Sequence, residues 1–199
     1  MRLEINRQHP EPRKIARAVE MLRDDAVIAY PTDTVYGLGC DIRSKKAVER
    51  IYRMKGMKPD QPLAFICPDL GEIAKYAIVD DRTYRLMRRL TPGPYCFILE
   101  ATREVPRILQ MKRKTVGIRI PHDEVALALV RALGNPIVSS TASKAGETYQ
   151  DPGEISDAFP GIDLVLDGGY GSSIPSTVLD ISGGDIVIVR EGAGPTDQL

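Results

Sequence analysis

AVIAYPTDTVYGLG (residues 26–39) is the stretch on which the reading of the fold turns. Its first six residues, 26–31, are an apolar run of strand length bounded by Pro31, as a strand buried on both faces requires. The run stops at Thr32, Asp33 and Thr34, and Gly37 and Gly39 follow shortly. Glycines let a backbone approach a ligand closely, and threonines offer hydroxyls to it. A turn closed by a threonine hydroxyl accounts for the same residues. GLGCDI beyond it carries only two of the glycines of a dinucleotide-binding loop, a weak signal.

Outward from this stretch, helical and strand patterns interleave. Upstream, Pro12 opens a segment in which Ile15, Val19 and Leu22 recur at helical spacing. Downstream, Ser44 is placed to cap a helix carrying Val48, Ile51 and Tyr52. LAFIC (63–67) reads as a short buried strand. Asp80 or Asp81 caps a helix with Tyr84, Leu86, Met87 and Leu90, which the breaker TPGP closes. YCFILEA (95–101) and TVGIRIP (115–121) read as strands. A helix through Val125, Leu129 and Leu133 ends at Gly134. PIVSST, DLVLDG, STVLDI and IVIVRE complete the strands. The interleaving indicates an α/β protein. The late strands lack long helices between them, so the sheet is expected to be mixed. No Pro/Gly linker divides the chain, and residues 1–199 read as a single domain.

Composition excludes several classes. The 199 residues are 43% hydrophobic and 27% charged, as a globular core requires, and the formal net charge is zero, which does not advertise nucleic-acid binding. The bases are clustered nevertheless: Arg43 to Lys58; Arg82, Arg85, Arg88 and Arg89; Lys112, Arg113, Lys114 and Arg119. After Lys144 the next base is Arg190. Cys40, Cys67 and Cys96 are an odd, scattered set, which argues for a reducing compartment. His9 and His122 are too far apart for a local metal motif. No apolar signal segment or membrane-length run occurs, so a cytoplasmic location is expected.

Three more segments carry candidate chemistry. KGMKPDQPL (55–63) sets Lys55 and Lys58 on a proline-stiffened loop, suited to phosphate or equally to a solvated turn. SSTASKAG (139–146) gathers hydroxyls at a strand end, as donors to a ligand or as small residues for close packing. Arg119 and Arg190 each stand in an apolar, strand-like run. A guanidinium there needs a carboxylate, a structural acid or a bound anion.

Together, PTDTVYGLG, KGMKPDQPL, TPGPYCFIL, TVGIRIP, SSTASKAG, PSTVLD and VREG, in this order along nearly the whole chain, resemble the YrdC/YciO family. The run TPGPYCFILEATREVPRIL points to its YciO-like branch. The resemblance implies a twisted mixed sheet flanked by helices, with a large concave cleft. It also implies a nucleotidyltransferase that makes threonylcarbamoyl-AMP and pyrophosphate from L-threonine, bicarbonate and ATP, with Mg2+. The product would pass to a separate threonylcarbamoyl transferase for threonylcarbamoyladenosine modification of tRNA. Matching positions place Thr34, Arg119, Ser139 and Ser176 around the amino acid, and Lys55, Lys58, Gln61, Thr115, Thr141 and Arg190 around ATP. Lys55 and Arg190 offset charge at the α-phosphate, and no protein-held metal is implied. The sequence departs from the family pattern where the loop arginine falls on Met57, a histidine on Ile66, an asparagine on Ser143 and a serine on Thr141; Gln61 replaces a further asparagine. The alternatives are a protein of the same fold that binds double-stranded RNA or the ribosome, and an adenylate-forming enzyme with another amino acid.

Overall fold

The computed structural model describes residues 1–58, 61–109, 114–197 and 199. Chain order begins with β1 (Arg2–Glu4), α1 (Pro12–Arg23), β2 (Ile28–Tyr30), β3 (Gly37–Asp41), α2 (Lys45–Lys55) and β4 (Ala64–Ile66). It continues with α3 (Ile73–Tyr76), β5 (Ala77–Ile78), α4 (Asp81–Leu90), β6 (Tyr95–Ala101), β7 (Thr115–Arg119) and α5 (Glu124–Leu133). The last part holds β8 (Ile137–Thr141), β9 (Ser143–Lys144), β10 (Glu147–Thr148), α6 (Pro152–Ala158), β11 (Leu164–Asp167), β12 (Thr177–Asp180) and β13 (Val187–Arg190).

The helix boundaries follow local chemistry. Pro12 occupies the first turn of α1, where its missing N–H costs nothing. Ser44 Oγ accepts from the Ala47 N–H (3.0 Å) to cap α2. Asp80 Oδ1 accepts from the Thr83 N–H (2.7 Å) to cap α4. Gly134 ends α5 in the left-handed region (φ 79°), as its lack of a Cβ allows. The cap at the other end of α5, Asp123, has no counterpart in the sequence reading. Neither does α6, whose seven residues bury only Pro152 and Ile155 and are too short to show a period.

The strands form an eleven-stranded mixed sheet in the order β1-β11-β2-β3-β8-β4-β7-β6-β12-β13, with β5 paired to β6. Parallel pairing at β11–β2 and β4–β7 coexists with antiparallel pairing at β3–β8 and β6–β7. Successive side chains point to opposite faces. Phe65, Phe97, Ile118 and Val138 thus join the core built with α2, α3 and α4. Ile28, Ile66 and Ile137 point the other way, into a second core with α1 and α5. Those two helices cover only part of their face, and the uncovered part is a cleft.

Two expectations need correction. Gly37 and Gly39 lie in the central strand β3 rather than in a loop, and of the two Gly37 lines the cleft. Their missing side chains make room for Tyr30, because a Cβ on Gly39 would stand 2.8 Å from Tyr30 Cε1 and 2.6 Å from Ile137 Cγ2. Tyr30 crosses both glycines and donates its hydroxyl to Ser139 Oγ on β8 (2.6 Å). Arg190 is not in a buried strand, because β13 is exposed along its length.

Gly39→Ala is expected to overpack this crossing and lower stability by about 1–3 kcal/mol. Urea denaturation checks this, and a variant as stable as the parent would show that Tyr30 does not need the space.

Candidate active site

The cleft has a volume of about 440 Å³, within the range of small-molecule sites. The strand register draws its floor. Arg119 of β7 lies beside Ile66 of β4, and the next row runs Ser139, Ala64, Gly117, Ile98 across β8, β4, β7 and β6. Cys96, Val178 and Arg190 form a row on the β6–β12–β13 side. Met57, Gln61 and Pro62, and the turn between β9 and β10, through Ala145 and Gly146, stand around the floor.

Arg119 is 8% exposed at the end of a central strand. Its Nη2 donates to Asp33 Oδ1 (2.5 Å) and to Thr34 Oγ1 (2.8 Å). Arg119 Nε and Asp33 Oδ2 are buried with no partner among the described residues. A guanidinium with an unspent donor on a cleft wall suits an anionic ligand, since buried donors are otherwise satisfied.

Lys55 is the last residue of α2, and its Nζ donates to the Thr141 carbonyl oxygen. Burial brings its pKa down to about 8. Arg190 enters the cleft through a bulge. Val178 pairs with Arg190 while Leu179 pairs with Ile188, which leaves Val189 extra and puts Arg190 on the Val178 side. Its guanidinium donates to the Ser176 carbonyl through Nε (3.1 Å) and Nη2 (2.8 Å) and to Ser176 Oγ (3.3 Å). Burial, with a contribution from nearby Arg119, lowers its pKa. Burial pushes the thiol pKa of Cys96 up, and the two arginines offset part of that rise. Among the described residues neither Lys55 nor Arg190 has a carboxylate partner.

Lys55, Gln61, Arg119, Ser139, Thr141, Ser176 and Arg190 therefore line one cleft. Thr34, Lys58 and Thr115 do not. Thr34 is buried behind the wall, against Arg119. Lys58 is exposed; its backbone N–H donates to Gln61 Oε1 (2.7 Å), closing the turn. Thr115 shares the Arg119 face of β7 but pairs with Glu100 at the far end of the strand. Met57, Ile66 and Ser143, where the family pattern is broken, all line the cleft.

Lys144 also lines the cleft, and of the bases between Arg43 and Lys58 only Lys55 does. Arg82, Arg85, Arg88 and Arg89 belong to α4, on the opposite face of the sheet. Lys112 and Arg113, and Pro59 of the proline-stiffened loop, lie outside the described residues. Sequence reasoning missed Tyr36 as a lining residue; its hydroxyl donates to the Gly169 carbonyl (2.7 Å) and burial pushes its pKa to about 12. It also gave Asp33 no role, although PTDT contains it. Among the described residues no group of three or more His, Cys, Asp or Glu could hold a metal ion, and no helix is long and apolar enough to cross a membrane.

Comparison with known proteins adds relatives to this geometry. YciO of Escherichia coli K12 is 44% identical over 194 residues, covering 96% of this chain and 94% of that protein. Its crystal structure superposes with a TM-score of 0.94 at 43% identity, over 98% of this chain and 97% of that one. A protein named threonylcarbamoyl-AMP synthase from Pyrococcus abyssi is 31% identical over 97% of this chain, which spans only 58% of that protein. The structure of P. abyssi Sua5 complexed with L-threonine superposes with a TM-score of 0.93 at 29% identity, over 100% of this chain and 59% of that one. The family model for Sua5, YciO and YrdC, described as telomere recombination, matches residues 20–192. With most of its length inside that model and its cleft on the same fold, the chain belongs to the Sua5/YciO/YrdC family.

Proposed function

We propose that the cleft forms a carbamoyl adenylate: it condenses L-threonine, bicarbonate and ATP to threonylcarbamoyl-AMP and pyrophosphate. The observation that carries this reading is the convergence of Lys55, Arg119 and Arg190 on one cleft, two of them without a carboxylate partner among the described residues. Relatives about 30% identical are named for this product, and one is complexed with L-threonine.

The chemistry needs such a set of cations. Bicarbonate loses water to give CO2, and the threonine nitrogen adds to that carbon and gives up a proton to become a carbamate. An oxygen of that carbamate then attacks the α-phosphorus, and the bond to the bridging oxygen of pyrophosphate breaks. An anion attacks an anion, so positive charge must offset the repulsion. Lys55 and Arg190 supply it in this reading, with Gln61 and Thr141 beside the nucleotide. Arg119 binds the amino-acid carboxylate, Ser139 and Ser176 stand around the amino acid, and Thr34 steadies Arg119. Magnesium would arrive on the triphosphate, since it is commonly held by substrate phosphates. No covalent nucleophile is needed; positioning supplies the gain. The adenylate would go to a transferase acting on tRNA. The arginines of α4 lie away from the cleft, so direct RNA binding would use another surface and would show a steep salt dependence.

The defining experiment incubates the pure protein with ATP, bicarbonate, magnesium and L-threonine and measures pyrophosphate. Release that depends on all three substrates is expected, and salt-sensitive RNA binding without release would establish the other reading. Arg190→Ala should weaken ATP binding about ten- to a hundredfold, yet change stability little, because β13 is exposed. A large loss of stability with unchanged affinity would make Arg190 structural.

Affinity for ATP should depend on pH through Lys55. Its pKa is about 8 in the free protein. A bound triphosphate raises that value, so binding takes up a proton when the pH exceeds about 8. Affinity is full below that pH and falls as pH rises through it, approaching about tenfold per unit. Calorimetry from pH 7 to 9.5 reads the slope, which Lys55→Arg should flatten; an equal slope in both proteins would remove Lys55 from the phosphate site.

Met57 faces the cleft and Lys58 does not. Met57→Arg should tighten ATP binding about tenfold by adding a planar fork, while Lys58→Ala should change it less than about twofold. A folded Met57→Arg protein that gains nothing would place the triphosphate away from this loop.

A further inference from the structure

The surface beside Arg119 is hydrocarbon. Ile66 is its register neighbour on β4, and one pleat along the floor lie Ala64, Gly117 and Ile98. Ala64 and Gly117 form a shallow place between two isoleucines: a Cβ on Gly117 would still stand 3.7 Å from the Ala64 Cβ. Cys96 and Val178 continue the apolar surface toward Arg190.

Each hydroxyl near this patch already has a partner within the protein. Thr32 Oγ1 donates its hydrogen to the Val35 carbonyl (2.7 Å). In the 3.2 Å contact between Thr32 Oγ1 and Thr34 Oγ1, the donor is therefore Thr34. Thr34 Oγ1 also accepts from Arg119, and Thr34 does not line the cleft, whereas Ile66 does. Ser139 Oγ accepts from Tyr30 and leans over β3, 3.0 Å from where a Gly37 Cβ would be. Ser176 Oγ accepts from Arg190 at the opposite rim.

We propose that the ligand whose carboxylate Arg119 takes lays a branched aliphatic side chain on the Ile66–Ala64–Gly117–Ile98 patch, so that the cleft accepts an α-amino acid of the L-valine type as well as its hydroxylated isostere L-threonine. This inference rests on the adenylate-forming reading and specifies its amino-acid subsite. A site built to hydrogen-bond a hydroxyl rejects the analogue lacking it by about 10⁴-fold, whereas an apolar one separates the two isosteres by about a hundredfold at most, in favour of the hydrocarbon.

The test uses the full chain with ATP, magnesium and bicarbonate. It compares L-valine with L-threonine by kcat/KM for pyrophosphate release and, separately, by calorimetric binding. The expected valine-to-threonine ratio lies between about one third and about a hundred. Ile66→Thr, which puts a hydroxyl beside Arg119, should shift that ratio toward threonine by about tenfold. An unmoved ratio in the folded variant overturns the assignment of Ile66; should the variant not fold, the parent comparison decides alone. Pyrophosphate released with threonine but more than about threefold less efficiently with valine overturns the inference and leaves the adenylate reading standing. Equal binding of the two amino acids with no pyrophosphate supports the inference and removes the adenylate reading. Neither binding nor release overturns both.

Discussion

Burying one guanidinium in the floor of a sheet shapes everything around it. Arg119 ends a strand whose neighbours Ile118 and Ile120 belong to the core on the other face. Alternation leaves its side chain no choice of direction. An unpaired charge there would cost several kcal/mol, and the partner comes from a segment 86 residues away, Asp33. Thr34 supplies the second acceptor to the same nitrogen, and Thr32 holds Thr34 in turn. The polar end of PTDT is thus a socket for Arg119, and it draws β2 and the turn before β3 to the cleft rim. Nη2 carries both Asp33 and Thr34, so the socket holds the guanidinium by one nitrogen.

Much of this was legible in the sequence. Ser44, Asp80 and Gly134 are short-range signals, since a cap acts within one turn of helix, and each lies where the pattern put it. The α/β class and the mixed sheet follow from the order of periodic segments. The illegible parts are those set by distant neighbours. Nothing local marks GLGCD as a central strand, because glycines weaken strands unless a ring covers them, and the ring is that of Tyr30. The bulge that turns Arg190 to the cleft depends on the register with β12. Thr115 shows the converse limit. Period two gives it the Arg119 face, but four residues of strand separate the two by about 13 Å.

The crossing of Tyr30 over β3 links packing to the candidate site. Tyr30 belongs to the core with α1 and α5, and its hydroxyl reaches Ser139 on the cleft floor. Substitutions that disturb the α1–α5 layer therefore reach the cleft through one rigid ring. The glycines make room for that ring, and Gly37 also lines the cleft.

The half-covered face also explains why the cations stand without acids. Had α1 and α5 extended over the whole sheet, Lys55 and Arg190 would have been sealed in and would have required carboxylates, as Arg119 did. Left at the edge of an open cleft, they keep partial hydration, and the lowered pKa values of both record how much has been lost. An anion entering between them restores by direct contact what burial removed, and ligand binding raises the stability of the folded chain in proportion to its affinity. A carboxylate built into the wall would have neutralised these cations and, with them, most of the attraction for an anion. The uncovered part of the sheet is thus free to carry the candidate site, because the continuous core under α2, α3 and α4 holds the other face.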